Sequence, residues 1–293
     1  MRNTVRQKRV KKARVIPGFR CTFGIVVLML SLIVLIPLAS VLVYSLKISP
    51  GEFFSLLWKS NVRNAFLTSI GCSLVAAGIN TVFGVIVAWT LVKYDFPGKR
   101  IVDGLIELPF ALPTAVAGIT LSKLYSETGF FGKMLAGIGI KVTYTKTGLV
   151  IALVFVGLPF VIRAGQPGLV KLAVQPVLEK LDGQYEEAAY MLGASPSKTF
   201  RRVILPELRP AILTGFGLAL ARGIGEYGSV IYISGNSAKE KTQVVSYVIM
   251  QKLSYIDYES ATAIALVMLV LSFVLLLFVN IVQARQAART NLL

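Results

Sequence analysis

Residues 182–210 read DGQYEEAAYMLGASPSKTFRRVILPELRP, a polar stretch inside a chain that is otherwise mostly apolar. Asp182 is of the N-cap type, because its side-chain oxygen can accept from the first unpaired N–H groups of a helix. Tyr185, Ala188, Ala189 and Leu192 then recur at i, i+3, i+4 and i+7, one face of a helix. Gly193 stands where a helix commonly ends, since glycine enters the left-handed conformation without a Cβ clash. Ser195 before Pro196 is a start signal for a second helix. Pro206 and Pro210 are expected to close it, because proline removes a donor and crowds the preceding turn. The stretch predicts a helix, a glycine turn and a second helix, standing in water just before an apolar run.

Outward from that hairpin, composition sets the class. Of 293 residues, 55% are hydrophobic and 15% charged, against about 25% charged in an average soluble domain. Mean hydropathy is +0.71. The fold class predicted is all-α, a polytopic integral membrane protein. Six apolar segments are long enough to cross a bilayer, at approximately 21–46, 64–92, 101–124, 148–166, 210–234 and 259–283. Pro109 and Pro113 interrupt the third, and Pro159 the fourth. The chain divides into a basic segment 1–20, a transmembrane domain 21–284 that includes a cytoplasmic loop 167–209, and a tail 285–293.

The net charge of +17 concentrates at the start, where eight Lys and Arg fall in the first 20 residues. A basic segment beside an apolar one reads as an orientation signal facing anionic lipid headgroups, not as a nucleic-acid site. With six spans both ends share one side. If that side is the cytoplasm, inner segments carry 19 Lys and Arg and outer loops 9, so both termini are placed inside. The apolar run after Arg20, about 26 residues, exceeds a signal-peptide core of 7–15 and reads as a retained span.

Catalytic equipment is sparse. The sequence has no histidine, only Cys21 and Cys72, and no CxxC pair, so no metal centre is expected. Residues 129–133, GFFGK, lack the spacing of a phosphate-binding loop, so the chain is not expected to hydrolyse ATP or to be an enzyme. Ionisable residues within the apolar segments are the functional candidates: Asp103, Glu107, Lys123, Arg163, Arg222 and Glu226. Asp103 with Glu107, and Arg222 with Glu226, are spaced i, i+4. Arg222 lies about 12 residues into its segment, roughly 18 Å deep. The Arg222–Glu226 pair either locks helices together or lines a translocation path, and Gly217, Gly223, Gly225 and Gly228 suit close helix packing beside it. Residues 107–118, ELPFALPTAVAG, carry Glu107, Pro109 and Pro113 at membrane depth. They are a kink or a path element, since broken backbone there must face protein or a cavity.

Glu187, Ala188 and Ala189, then Gly193, then Val203, Ile204, Leu205 and Pro206, stand at the spacing of the EAA motif of ABC-type importer permeases, with Val203 where Ile is usual. Residues 108–119, 174–189, 192–211 and 222–236 extend the likeness, and from about 20 to 285 the chain resembles the T-type permease subunits of sulfate/thiosulfate importers. Arg222, Gly225, Glu226, Tyr227 and Gly228 occur in molybdate permeases too. The resemblance implies a type I ABC importer permease fold with six transmembrane helices. The EAA hairpin would dock on a separate ATP-binding subunit present in two copies, with Glu187 making polar contacts, Ala188 and Ala189 allowing close approach and Gly193 forming the turn. It implies a second, different permease chain and an extracytoplasmic sulfate-binding protein. No cofactor is expected on this chain; ATP and magnesium belong to the ATPase. The membrane implied is a bacterial inner membrane or a plastid inner envelope. The alternatives are a molybdate or tungstate permease, a transporter or channel working alone, and a membrane scaffold.

Overall fold

The computed structural model describes residues 19–163, 174–181 and 183–290. Asp182, most of the basic segment 1–20 and residues 167–173 of the predicted loop lie outside the described residues. The helices, in order, are α1 (Cys21–Ser45), α2 (Pro50–Trp58), α3 (Ser60–Lys93), α4 (Lys99–Ala111), α5 (Thr114–Tyr125), α6 (Phe130–Ala136), α7 (Lys146–Ile162), α8 (Val174–Lys180) and α9 (Gly183–Met191). They continue with α10 (Pro196–Ile224), α11 (Gly228–Ile233), α12 (Val245–Ser254) and α13 (Tyr258–Thr290). The described residues form no strand.

The centre is a triangle of α3, α7 and α10. On α3 the buried row runs Ala65, Ser69, Cys72, Ser73, Ala76, Ala77, Asn80, Gly84 and Ala88, a near-continuous stripe of small residues at helical spacing. Helices in lipid gain little from hiding apolar surface, so close van der Waals approach drives their association. Gly84 and Gly215 pinch Val161 from two sides: a Cβ at either would fall 2.7 Å and 2.8 Å from its atoms. By contrast, α1 is exposed almost throughout, and much of α13 is exposed between residues 269 and 281, as expected of helices that face lipid or another chain.

Among the described residues four helices, α1, α3, α10 and α13, are long and apolar enough to cross a membrane. The predicted count of six is not reproduced by helix length. The third predicted span, 101–124, is not one rod: α4 and α5 meet at 114°. Proline disfavours the helical conformation in the residue before it, and Leu112, just before Pro113, is extended at φ −86° and ψ 134°. Counted as one broken crossing, this pair makes five. The fourth, α7, has 17 residues, about 26 Å of helix against a hydrocarbon core of roughly 30 Å.

The fifth predicted span, 210–234, also differs. Its helix starts earlier, at Pro196, and stops at Ile224; after a break at 225–227 the chain resumes as α11. Pro206 and Pro210 do not end the second helix of the hairpin; they lie within α10. The ladder widens to a π turn over Phe200–Ile204, immediately before Pro206. That widening gives room to the Arg202 carbonyl, which the proline ring would otherwise strike.

The two broken crossings meet. Their second halves, α5 and α11, pack so closely that a Cβ on Gly118 would sit 2.4 Å from the Ser229 carbonyl oxygen, and one on Gly228 would sit 2.2 Å from Thr114 Oγ1.

Candidate functional site

The predicted hairpin forms, and local chemistry accounts for it. Gly193 adopts φ +74°, its N–H donates to Tyr190 O at 2.9 Å, and the Ala194 N–H donates to Ala189 O at 3.0 Å. These bonds are those of a Schellman cap, which satisfies the last carbonyls of α9. Ser195 caps α10, accepting from Lys198 N at 3.4 Å, and Pro196 occupies the first helical position.

The apolar face expected from Tyr185, Ala188, Ala189 and Leu192 is covered only at Ala189. Tyr185 and Tyr190 are exposed, and Met191 and Leu192 are each 89% exposed. Glu187 and Ala188 are exposed beside them. Glu187 forms no ion pair among the described residues. Val203, Leu205 and Pro206 lie half-buried where the hairpin enters the bundle, around a fully buried Ile204.

The hairpin is fastened to the bundle by contacts that sequence spacing did not reveal. Lys93, in the last turn of α3, pairs with Glu186 and lies 5.6 Å from the centre of the Trp89 ring. Trp89 meets Phe200 edge to face at 5.2 Å. Glu186 is thus committed inside the chain, while its neighbour Glu187 is exposed and has no ion-pair partner among the described residues. An apolar patch on a braced hairpin can transmit a rigid-body movement between the bundle and whatever covers the patch.

The ionisable candidates resolve into two clusters. Arg163, just past the end of α7, pairs with both Asp103 and Glu107 of α4 and donates from Nε to Gln175 Oε1 at 3.2 Å. One guanidinium fork thus ties α4 to the end of α7 and the start of α8. Pro109 lies inside α4, and Pro113 is at the bend. Lys123 is in the last turn of α5, where the helix dipole favours a cation.

The second cluster surrounds Glu226, which is 2% exposed. Oε2 lies 2.5 Å from Arg222 Nη1. Oε1 accepts from Ser229 N at 2.8 Å and from Ser229 Oγ at 3.0 Å. The Glu226 carbonyl oxygen accepts from Ser246 Oγ at 2.7 Å. The two charges do not share one uninterrupted helix, as their spacing predicted; Glu226 sits in the break after α10, and its carboxylate joins both sides of that break. Of the four glycines expected to permit close packing, Gly217, Gly223 and Gly228 do so, against Val279, Ser73 and Thr114. Gly225 is part of the break itself.

One polar residue in the core was not singled out from sequence. Asn80 is 1% exposed. With its amide oriented to satisfy both neighbours, it donates to Val154 O at 3.0 Å and accepts from Leu158 N at 3.3 Å. Those groups are the two ends of one i→i−4 helical bond, one residue before Pro159. A lone amide in the middle of a long apolar run was the available signal.

Comparison with known proteins places this geometry. Residues 80–291 match the family described as binding-protein-dependent transport system inner membrane component. The chain is 43% identical over 280 residues to the sulfate transport system permease protein CysT of Salmonella typhimurium, covering 96% of this chain and 98% of that one. It is 42% identical over 250 residues to the probable sulfate transport system permease protein of Nephroselmis olivacea, covering 85% of this chain and 84% of that one. In fold it resembles a chain of a bacterial alginate ABC transporter solved with an alginate-bound periplasmic protein, with a TM-score of 0.73 over 91% of this chain and 94% of that one, at 17% identity. A methionine ABC transporter in an inward-facing conformation gives 0.53 over 82% and 99%, at 15% identity.

Proposed function

This chain belongs to the family of binding-protein-dependent transport system inner membrane components, and from that premise we propose that it is a membrane-spanning permease subunit of an ATP-driven sulfate or thiosulfate importer. The exposed apolar patch on the braced hairpin supports this reading most directly. Tyr185, Tyr190, Met191 and Leu192 are exposed, without cover from the described residues, and a patch of that kind marks a contact surface. The hairpin docks on an ATPase that a second copy accompanies. Glu187 supplies a polar contact at the edge of the patch, Ala188 permits close approach, and Gly193 with the capped ends keeps the two short helices in fixed relation.

Both termini then face the cytoplasm, in a bacterial inner membrane or a plastid inner envelope, and a second permease chain faces this one across the path. An extracytoplasmic sulfate-binding protein delivers the anion to the opposite end of the bundle. This chain binds no cofactor of its own; ATP and magnesium act on the ATPase. Relatives named as sulfate permeases along nearly the whole chain support the substrate.

Arg222 and Glu226 have different parts in this reading. Glu226 is saturated by three donors and holds the break between α10 and α11. Arg222 is partly exposed and is the cation available to a dianion at that depth. Its pairing with Glu226 keeps the attraction weak, which suits a path that must release what it admits.

The test is uptake of labelled sulfate by membranes that hold the chain with its partners, with molybdate as competitor. Uptake that needs ATP and resists trace molybdate is expected. Complete competition by trace molybdate would reassign the substrate to molybdate or tungstate, and uptake without ATP would remove the ATPase from the account.

A further inference from the structure

Two helices lead from the hairpin toward the outer end of the bundle. The first, α10, does so covalently, because it begins in the hairpin at Pro196. The second, α3, does so through side chains. In its last turn Lys93 pairs with Glu186 of α9, and one turn earlier Trp89 meets Phe200 edge to face. Among the described residues no other ion pair reaches α9. The Lys93 and Glu186 side chains are 25% and 17% exposed, so salt screens the pair less than it would a surface pair. The Trp89 ring beneath the ammonium holds a long side chain in one direction.

The two helices differ in where they end. At Ile224 α10 gives way to the break at 225–227. Its last turn lies against Ser73 of α3, where a Cβ on Gly223 would sit 3.0 Å from Ser73 Oγ. Past that level α3 continues unbroken. One turn further out, Ser69 Oγ accepts from Val245 N at 2.9 Å, and Thr68 Oγ1 donates to Lys241 O at 2.9 Å. Val245 opens α12, which has no side-chain cap of its own; the hydroxyl of another helix satisfies one of its unpaired N–H groups. Thr68 and Ser69 are buried, so water does not compete for these bonds. Between Thr68 and Lys93 lies about 38 Å of continuous helix, keyed to α7 partway along by Asn80.

We propose that Lys93 and Glu186 at one end, with Thr68 and Ser69 at the other, make α3 the rod that carries the movement of the hairpin to the outer loop 234–244. Lys93 is thus a positioning residue for transport. The proposal rests on the importer reading, in which the hairpin follows the ATPase and the loop lies across the membrane from it. A packed, unbroken helix moves as a body, whereas a few residues at an element end can absorb a displacement in their own dihedrals. Movement that enters through α10 meets such residues at 225–227. Movement that enters at Lys93 meets none before it arrives at Thr68 and Ser69.

The experiment reads labelled sulfate accumulated per ATP hydrolysed by vesicles that hold the assembled complex with its binding protein. Lys93→Met keeps the reach of the side chain and removes its charge. The ATPase should stay bound while sulfate per ATP falls about fivefold or more. Glu186→Gln should act in the same direction, the double variant no more strongly than the stronger single one, and Lys93→Arg should stay near wild type. At the other end Thr68→Val and Ser69→Ala, far from the hairpin, should lower the same ratio. An unchanged ratio in Lys93→Met and Glu186→Gln overturns the proposal. A ratio that falls only because the ATPase leaves the complex assigns the pair to presenting the hairpin for docking, and also overturns it. An unchanged ratio in both outer variants routes the movement through α10 and its break, and overturns α3 as the rod. A wild-type complex that accumulates no sulfate with ATP overturns the importer reading together with this one.

Discussion

Arg222 and Glu226 are joined across a break in the backbone, with Arg222 Nη1 2.5 Å from Glu226 Oε2. The arginine ends α10; the glutamate lies beyond it and bonds forward to Ser229 in α11. Removing the buried carboxylate leaves Ser229 N and Oγ without their acceptor, a loss of about 1–3 kcal/mol, while the partly exposed Arg222 can turn to water. Glu226→Ala should therefore lower the amount of complex in membranes. Glu226→Gln keeps an acceptor for Ser229 and removes only the charge, so assembly should survive while sulfate uptake falls about tenfold, the equivalent of about 1.4 kcal/mol. Quantifying complex and uptake in the same membranes separates the two effects.

The contact between α5 and α11 admits no side chain at Gly118 or Gly228. Gly118→Ala and Gly228→Ala should each destabilise by about 1–3 kcal/mol, the usual range for overpacking. Gly71→Ala on α3, where nothing lies within 4 Å of the added atom, should be near neutral. Thermal melting of the three purified variants makes the comparison.

Asn80 spans Val154 O and Leu158 N beside Pro159. Asn80→Leu has nearly the same volume but cannot bond either group; since the two still bond each other along α7, it should cost about 0.5–1.5 kcal/mol, the net worth of a lost hydrogen bond. Melting of the variant against wild type checks this, with no change as the contrary result.

The Lys252–Asp257 turn carries a pH dependence of definite sign. Burial pushes the Asp257 carboxyl upward, but the bonds from Lys252 and Ser260 and the charge of Lys252 outweigh it and hold the carboxyl below its ordinary range. A group depressed in the folded state stabilises above its unfolded pKa, about 3.9, and loses that contribution as pH falls through the folded value. Melting of the wild-type complex should therefore drop on acidification below about pH 4 by more than that of Asp257→Asn, which keeps the cap and has no proton to gain.

The hairpin was legible because its determinants are local. Ser195 and Gly193 do in the structure what their chemistry predicts, each within a few bonds of its own backbone. Of the two broken crossings, the first was legible as an interruption and the second was not. Apolar residues continue through Leu112 and flank the short 225–227 segment on both sides, and a hydropathy window averages over such a segment without sensing the direction of the chain. Pro113 hinted at the first break; at the second, Glu226 is held by Ser229 and Ser246, and no periodic pattern encodes that. Arg163 finds its partners 56 and 60 residues away, beyond any spacing rule. Periodicity found the apolar face of α9, but it could not distinguish a face covered by the chain itself from one left for a partner. Tyr185 and Leu192 belong to the second kind.

The most direct measurement is ATP-dependent accumulation of labelled sulfate by vesicles containing the assembled complex, compared between wild type and Leu192→Asp. That substitution puts a charge on a side chain exposed in this chain, so folding of the chain should be undisturbed while the contact with the ATPase is lost. The account predicts accumulation by wild type, and in the variant a normal amount of permease chain, loss of the co-purifying ATPase and no accumulation above that without ATP. Full accumulation by Leu192→Asp, with the ATPase still bound, would contradict it.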